Sequence, residues 1–170
     1  ATGNVFITSN TTVTLTANTT IVDVTIYPSN GVLDVNDFVF TINGNLTING
    51  TLTNTGAGGA PIIAAMSTGG KTLDGIGEIT GGNNNMQLRF AANTTIASTA
   101  NLTNNSNFNR STFVNAAVTV TNNGRYTTIQ NVNLSTATTS IWTQGVNSLL
   151  SRGQTIGVGG ASGNASSVLN

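Results

Sequence analysis

The reading turns on residues 38–55, Phe38-Val-Phe-Thr-Ile-Asn-Gly-Asn-Leu-Thr-Ile-Asn-Gly-Thr-Leu-Thr-Asn-Thr55. Phe38, Phe40 and Ile42 alternate with Val39, Thr41 and Asn43, and after Gly44 the alternation resumes through Leu46, Ile48 and Leu52. Apolar residues at period two between Asn-Gly turns predict short strands that each bury one face. The residues alternating outward are Thr and Asn rather than Lys or Glu. Such a surface favours stacking and contact over charge repulsion. Thr41-Ile-Asn-Gly44 recurs as Thr47-Ile-Asn-Gly50.

Working outward, the same short alternations continue. Val5-Phe-Ile7, Val13 to Thr16, Ile21 to Ile26 and Val32 to Val35 precede the central stretch, with Pro28-Ser-Asn-Gly31 as a turn. Pro presets φ there and Asn-Gly tolerates positive φ. Beyond it, Met86 to Phe90, Thr95-Ile96, Ser111 to Val114, Val118 to Val120, Tyr126 to Ile129, Val132 to Leu134 and Ile141-Trp142 follow at short intervals. Residues 56–82 are interrupted by nine glycines and are expected to form long loops and short strands, an excursion from the regular pattern. Pro61-Ile-Ile-Ala-Ala-Met66 within it reads as a short helix or a buried run. Residues 153–170, rich in Gly, Ser and Ala, have the composition of a flexible linker.

Composition narrows the class. The 170 residues suffice for one domain with a core, and residues 1–170 are taken as a single all-β domain. Only 6% of residues are charged, against about 25% in an ordinary soluble domain. Five Lys or Arg balance five Asp or Glu, which removes the electrostatic case for nucleic acid. Without Cys or His, disulfides, thiolate metal sites and the commonest general base are closed. The longest aliphatic run is far too short for a membrane span. The missing Cys and His, the sparse Lys and a start at Ala1 fit a processed protein outside the cell or on its surface. The many Asn-X-Ser/Thr triplets follow from Asn and Thr richness, so no glycosylation is inferred.

Internal repeats point to a coil. Ala17-Asn-Thr-Thr-Ile21 recurs as Ala92-Asn-Thr-Thr-Ile96, Leu52-Thr-Asn54 as Leu102-Thr-Asn104, and Asn45-Leu-Thr47 as Asn101-Leu-Thr103. These favour a degenerate repeat of about twenty residues, within the range of solenoids. The expected fold is a parallel β-helix, with a β-sandwich or jelly roll as the alternative all-β solution. Residues 25–40 and 41–56, Thr25 to Phe40 and Thr41-Ile-Asn-Gly-Asn-Leu-Thr-Ile-Asn-Gly-Thr-Leu-Thr-Asn-Thr-Gly56, resemble the Thr/Asn/Gly-rich repeats of large secreted bacterial surface proteins and adhesins. That resemblance implies a right-handed parallel β-helix and a scaffold role at the cell surface.

No residue is assigned to catalysis, to a cofactor or to a metal. Asp34 and Asp37 read as turn acids that cap their own backbone, although with Asn36 they also offer oxygens to a calcium ion. The lone lysine, Lys71, near Asp74 and Glu78, reads as one member of a surface ion pair. Thr12-Val-Thr-Leu-Thr16, Thr51-Leu-Thr53 and Thr119-Val-Thr121 offer Thr arrays of the kind that meet ice, or simply good strand residues. Tyr27, Tyr126 and Trp142 are core residues or sugar-stacking platforms. The assignable residues are at the ends. Val5, Phe6, Ile7, Val168 and Leu169 are apolar and strand-competent, without the Lys or Pro that blunt open edges. The expected function is a self-assembling structural subunit of a filament, sheath or surface layer, its partner another copy. The alternative is an adhesin fragment binding surface glycans or ice.

Overall fold

The structure, a computed structural model, describes residues 3–58, 62–81, 86–106, 108, 111–135, 139–152, 156–158 and 168–169. Among them the regular elements are all strands. The first turn of chain holds β1 (Val5–Ile7), β2 (Thr12–Thr14) and β3 (Thr19–Ile21), the second β4 (Val24–Ile26), β5 (Val32–Asp34) and β6 (Phe40–Ile42). Next come β7 (Leu46–Ile48), β8 (Thr51–Thr53) and β9 (Ile62–Met66), then β10 (Lys71–Asp74), β11 (Glu78–Ile79) and β12 (Met86–Phe90). The later turns hold β13 (Thr94–Ile96), β14 (Asn101–Asn104), β15 (Thr112–Val114), β16 (Thr119–Asn122), β17 (Arg125–Thr128) and β18 (Val132–Leu134). Last come β19 (Ile141–Gln144), β20 (Leu149–Arg152), β21 (Ile156–Val158) and β22 (Val168–Leu169).

Every third strand joins the same sheet. The first sheet runs β1-β4-β7-β10-β13-β16-β19-β22, the second β2 through β20 and the third β3 through β21, with eight, seven and seven strands. Every pairing is parallel, from Val5↔Val24 at one end to Ile141↔Val168 at the other. The molecule is therefore a three-sided parallel β-solenoid. A sandwich or jelly roll is excluded because its strands pair antiparallel. The turn length is uneven: partners are 19 residues apart from Val5 to Val24 and 27 apart from Thr51 to Glu78.

Strands of two to five residues suffice because each is one side of a turn. Its middle or flanking residues point inward and stack on those of the next turn. Leu33, Leu52 and Ile79 form one inward column, and Ile21, Ile42, Met66, Phe90, Val114 and Leu134 another. All are buried. At about 25 cal/mol per Å² of apolar surface, such columns supply the main drive for folding. β-branched Thr, Val and Ile suit this half-buried pleat, whereas the Gly and Asn between them resist a helix.

The stretch 56–82 does not leave the coil where it is described. β9, β10 and β11 lie in the third, first and second sheets, in register with the turns on both sides. Ile62–Met66 is a strand rather than a helix. Gly56, Gly75 and Gly77 serve close packing instead. Gly75 has φ of 116°, and a Cβ there would sit 2.0 Å from the Ile48 carbonyl oxygen. Of the Gly/Ser-rich tail, β21 and β22 carry on the third and first sheets; residues 153–155, 159–167 and 170 lie outside the described ones.

Candidate functional site: open edges and outer faces

The corners explain the abundance of Asn. The side-chain carbonyl of a corner residue accepts the backbone N–H of the corner one turn further on. Asn18 accepts from Val39 at 2.9 Å, Asn45 from Thr72 at 2.9 Å, and Asn93 from Thr119 at 2.8 Å. Asp23 does the same for Asn45 at 2.7 Å. Corners lack ladder partners for every N–H, so these side chains complete what the sheets leave open.

The core changes chemistry along the axis. In the second sheet the inward column of Leu33, Leu52 and Ile79 continues as Asn104 and Thr128. Asn104 Nδ2 donates to the Tyr126 hydroxyl at 3.0 Å, to Thr112 Oγ1 at 3.3 Å and to the Ser111 carbonyl at 3.2 Å. Thr112 and Tyr126 hydroxyls are 2.8 Å apart. Burial pushes the Tyr126 phenol up to about 12 from 10.0, with the bonds to Thr112 and Asn104 pulling the other way. Trp142 packs edge-on to Phe90 at 6.0 Å and tilted on Tyr126 at 5.9 Å, and its Nε1 donates to Gln144. Tyr126 and Trp142 are thus core residues, while Tyr27 is exposed.

The acids are used locally. Asp34 accepts from the N–H groups of Asn36 and Thr55 and from the Thr55 hydroxyl. Asp37 accepts from Asn54 Nδ2 at 3.0 Å and the Gly58 N–H at 2.6 Å, and sits at φ 65°. Both carboxylates close the corner between β5 and β6. Asp74 accepts from Thr99 and Glu78 from Asn105. Among the described residues no group of three or more His, Cys, Asp or Glu is placed to hold a metal ion. No helix among them is long and apolar enough to cross a membrane.

Outer faces are polar. Thr72, Thr95, Thr121 and Thr143 form one outward column of the first sheet, each half-buried. Of the Thr strings, Thr53 is buried and only Thr12, Thr14 and Thr16 stand fully out, so no flat two-column Thr array spans the first turns. On the third sheet Arg89 lies over the Phe113 ring at 5.5 Å and donates to Gln87, and its partial burial lowers its proton affinity. A shallow groove at the corner between the first and second sheets is lined by Ser29, Asn30, Thr51, Ile76, Glu78 and Asn105 among others.

Val5, Phe6, Ile7, Val168 and Leu169 lie on the two end strands of the first sheet. β1 and β22 are the two outer edges of the same sheet. Ile7 is fully buried, Val5 half-buried, and Phe6 is 60% exposed because it points off the flat side above the register of Thr25. The sequence reading missed Val13. It lies in register with the inward Leu33 yet is 37% exposed, because among the described residues nothing stacks beneath β2. At the far end Val168 and Leu169 pair with Ile141 and Trp142, and β20 and β21 form the outer edges of the other two sheets. The signal that would have found Val13 is the period-two alternation placing it inward in the first turn.

The class is defined at this level: a three-sheeted parallel β-solenoid. No protein family, curated protein or solved structure matches the chain.

Proposed function

We propose that this chain is an extracellular structural subunit that stacks end to end with its own copies into a filament, sheath or surface layer. The observation that carries this reading is the bare first turn. Among the described residues β1, β2 and β3 each have a strand on one side only, and the inward Val13 is left part-exposed. Unpaired strand edges recruit further strands, and a parallel coil accepts only a parallel, head-to-tail neighbour. Such a contact is heterologous and does not close, so it propagates as a fibre. The low charge leaves little repulsion between copies.

The test is assembly of the 170-residue chain followed by sedimentation and negative-stain microscopy. Fibres are expected, and Val13→Lys, which places a charge in the interface, should keep a folded chain dispersed. A wild-type chain that sediments as a monomer at every concentration refutes the stacking reading. The groove at Thr51 and Glu78 favours a second reading, an adhesin module binding surface glycans through polar side chains beside the exposed Ile76. Glycan-array binding by the monomer, lost in Glu78→Ala, would support it.

A further inference from the structure

The sequence holds four Asn-Gly pairs, beginning at Asn30, Asn43, Asn49 and Asn123. Glycine has no Cβ, so its backbone nitrogen is open to attack the side-chain carbonyl of the Asn before it. The fold holds the four pairs differently. At Asn49 the nitrogen is engaged: the Gly50 N–H donates to the Ile26 carbonyl at 3.2 Å, and Asn49 Oδ1 accepts the Ile76 N–H at 3.3 Å. At Asn123 the Gly124 N–H donates to Asn122 Oδ1 at 3.2 Å. At Asn30 the side chain acts through its amide, Nδ2 donating to Asn10 Oδ1 at 3.3 Å. Among the described residues the Asn30 side-chain carbonyl receives no hydrogen bond.

At Asn43 the nitrogen is unengaged and the carbonyl is held. Asn43 and Gly44 form the corner between β6 and β7, and the corners of the turns before and after supply their neighbours. From the turn after, the Ser67 hydroxyl donates to Asn43 Oδ1 at 2.5 Å. From the turn before, the Asp23 carboxylate lies against Gly44: a Cβ on that glycine would sit 2.2 Å from Asp23 Oδ1. The same oxygen accepts the Asn45 N–H at 2.7 Å, which fixes the carboxylate at the corner. The Gly44 N–H donates to no acceptor among the described residues. Asn43 is exposed, so water reaches it. An unengaged nitrogen, a donor on the carbonyl oxygen and a carboxylate beside them are the parts that a ring closure needs.

We propose that Asn43 is a self-modification site, closed to a succinimide by Gly44 and then opened to aspartate or isoaspartate. The Gly44 nitrogen attacks Asn43 Cγ and gives its proton to the Asp23 carboxylate. Negative charge develops on Asn43 Oδ1, where the Ser67 hydroxyl is already in place. The Cγ–Nδ2 bond then breaks, and Nδ2 takes the proton from Asp23 and leaves as ammonia. Water opens the ring at either carbonyl. One opening gives aspartate, and the other gives isoaspartate with an extra methylene in the main chain between β6 and β7. Either product adds a carboxylate to a sequence with only five acids.

The 170-residue chain is incubated in neutral buffer, folded and in urea, beside Ser67→Ala and Asp23→Asn. Ser67 is exposed, and Asp23→Asn keeps an acceptor for the Asn45 N–H while removing the base, so both variants should fold, as circular dichroism checks. Peptide mass spectrometry reads the amide-to-acid mass change at all four pairs and the isoaspartate at position 43. Folding is expected to slow Asn49 and Asn123 and to leave Asn43 the fastest, at or above its own rate in urea. Folded Ser67→Ala should convert Asn43 about tenfold more slowly than wild type, the rate equivalent of one net hydrogen bond. Folded Asp23→Asn should be at least as slow, and in urea the three proteins should agree. An Asn43 that folding slows as much as Asn49 and Asn123 overturns the proposal. So does conversion at the wild-type rate in either folded variant.

Discussion

Tyr126→Phe isolates one hydroxyl in the polar half of the core. At neutral pH the variant loses the contacts to Asn104 at 3.0 Å and Thr112 at 2.8 Å, while both partners keep each other and Asn104 keeps the Ser111 carbonyl. With partners still satisfied, the cost should be about 1–2 kcal/mol, or about 2–4 °C in Tm for each kcal/mol. The alkaline limb is the sharper test. The folded phenol titrates at about 12 and the free one at 10.0. The unfolded chain therefore loses its proton first as pH rises, and the folded state must hold a neutral phenol. The stabilisation is whole below pH 10 and is lost as pH climbs towards 12. At 1.36 kcal/mol per unit, the loss attributable to Tyr126 approaches about 2.7 kcal/mol. Urea unfolding followed through the single Trp, which packs against Tyr126, reads both effects at pH 7, 9, 10, 11 and 12. Wild type should fall towards the variant, and past it, above pH 10. Parallel decline of the two proteins across pH 10–12 would refute the buried, hydrogen-bonded phenol.

Three further outcomes follow from the packing. Gly75→Ala combines a disfavoured φ with a 2.0 Å clash on the Ile48 carbonyl and should cost several kcal/mol in thermal unfolding, whereas Gly69→Ala, with nothing within 4 Å, should be near neutral. Asn45→Ala leaves the Thr72 N–H without its 2.9 Å acceptor and should cost about 1 kcal/mol by denaturant titration, although Asn45 is exposed. Asp37→Ala removes the carboxylate that accepts from the Gly58 N–H and from the buried Asn54 Nδ2 and should cost about 1–3 kcal/mol, and a chelator should leave the wild-type Tm unchanged, as turn-capping carboxylates require.

The coil was legible because its drive is local: Phe40, Ile42, Leu46, Ile48 and Leu52 alternate in the sequence and all point inward. What the repeats mean was not. The doubled Thr-Ile-Asn-Gly covers β6 and β7, consecutive sides of the coil rather than stacked turns. Ala-Asn-Thr-Thr-Ile occurs in β3 of the third sheet and β13 of the first. Leu52 and Leu102 share a sheet, yet Ile79 aligns Leu52 with Asn104. Sheet identity depends on corner length, which varies, so identical peptides land on different sides. That the short strands of the Gly-rich stretch stay within the coil was obscured because glycine marks both loops and tight corners. Buried Asn54, Asn104 and Asn122 were obscured because composition cannot tell a corner amide from a core one. Val5, Phe6 and Ile7 form strand β1 at the end of the first sheet, while the exposed end of β2 needed the three-sheet arrangement to be seen.

In a parallel coil the backbone hydrogen bonds between turns run along the long axis. Tension applied at the two termini therefore loads successive turns in series and the three sides of each turn together. A single molecule stretched this way should give way one turn at a time. Each step would release the chain of one turn, 19 residues from Val5 to Val24 or 27 from Thr51 to Glu78. At about 3.4 Å per residue, the force trace should show uneven teeth of about 6–9 nm.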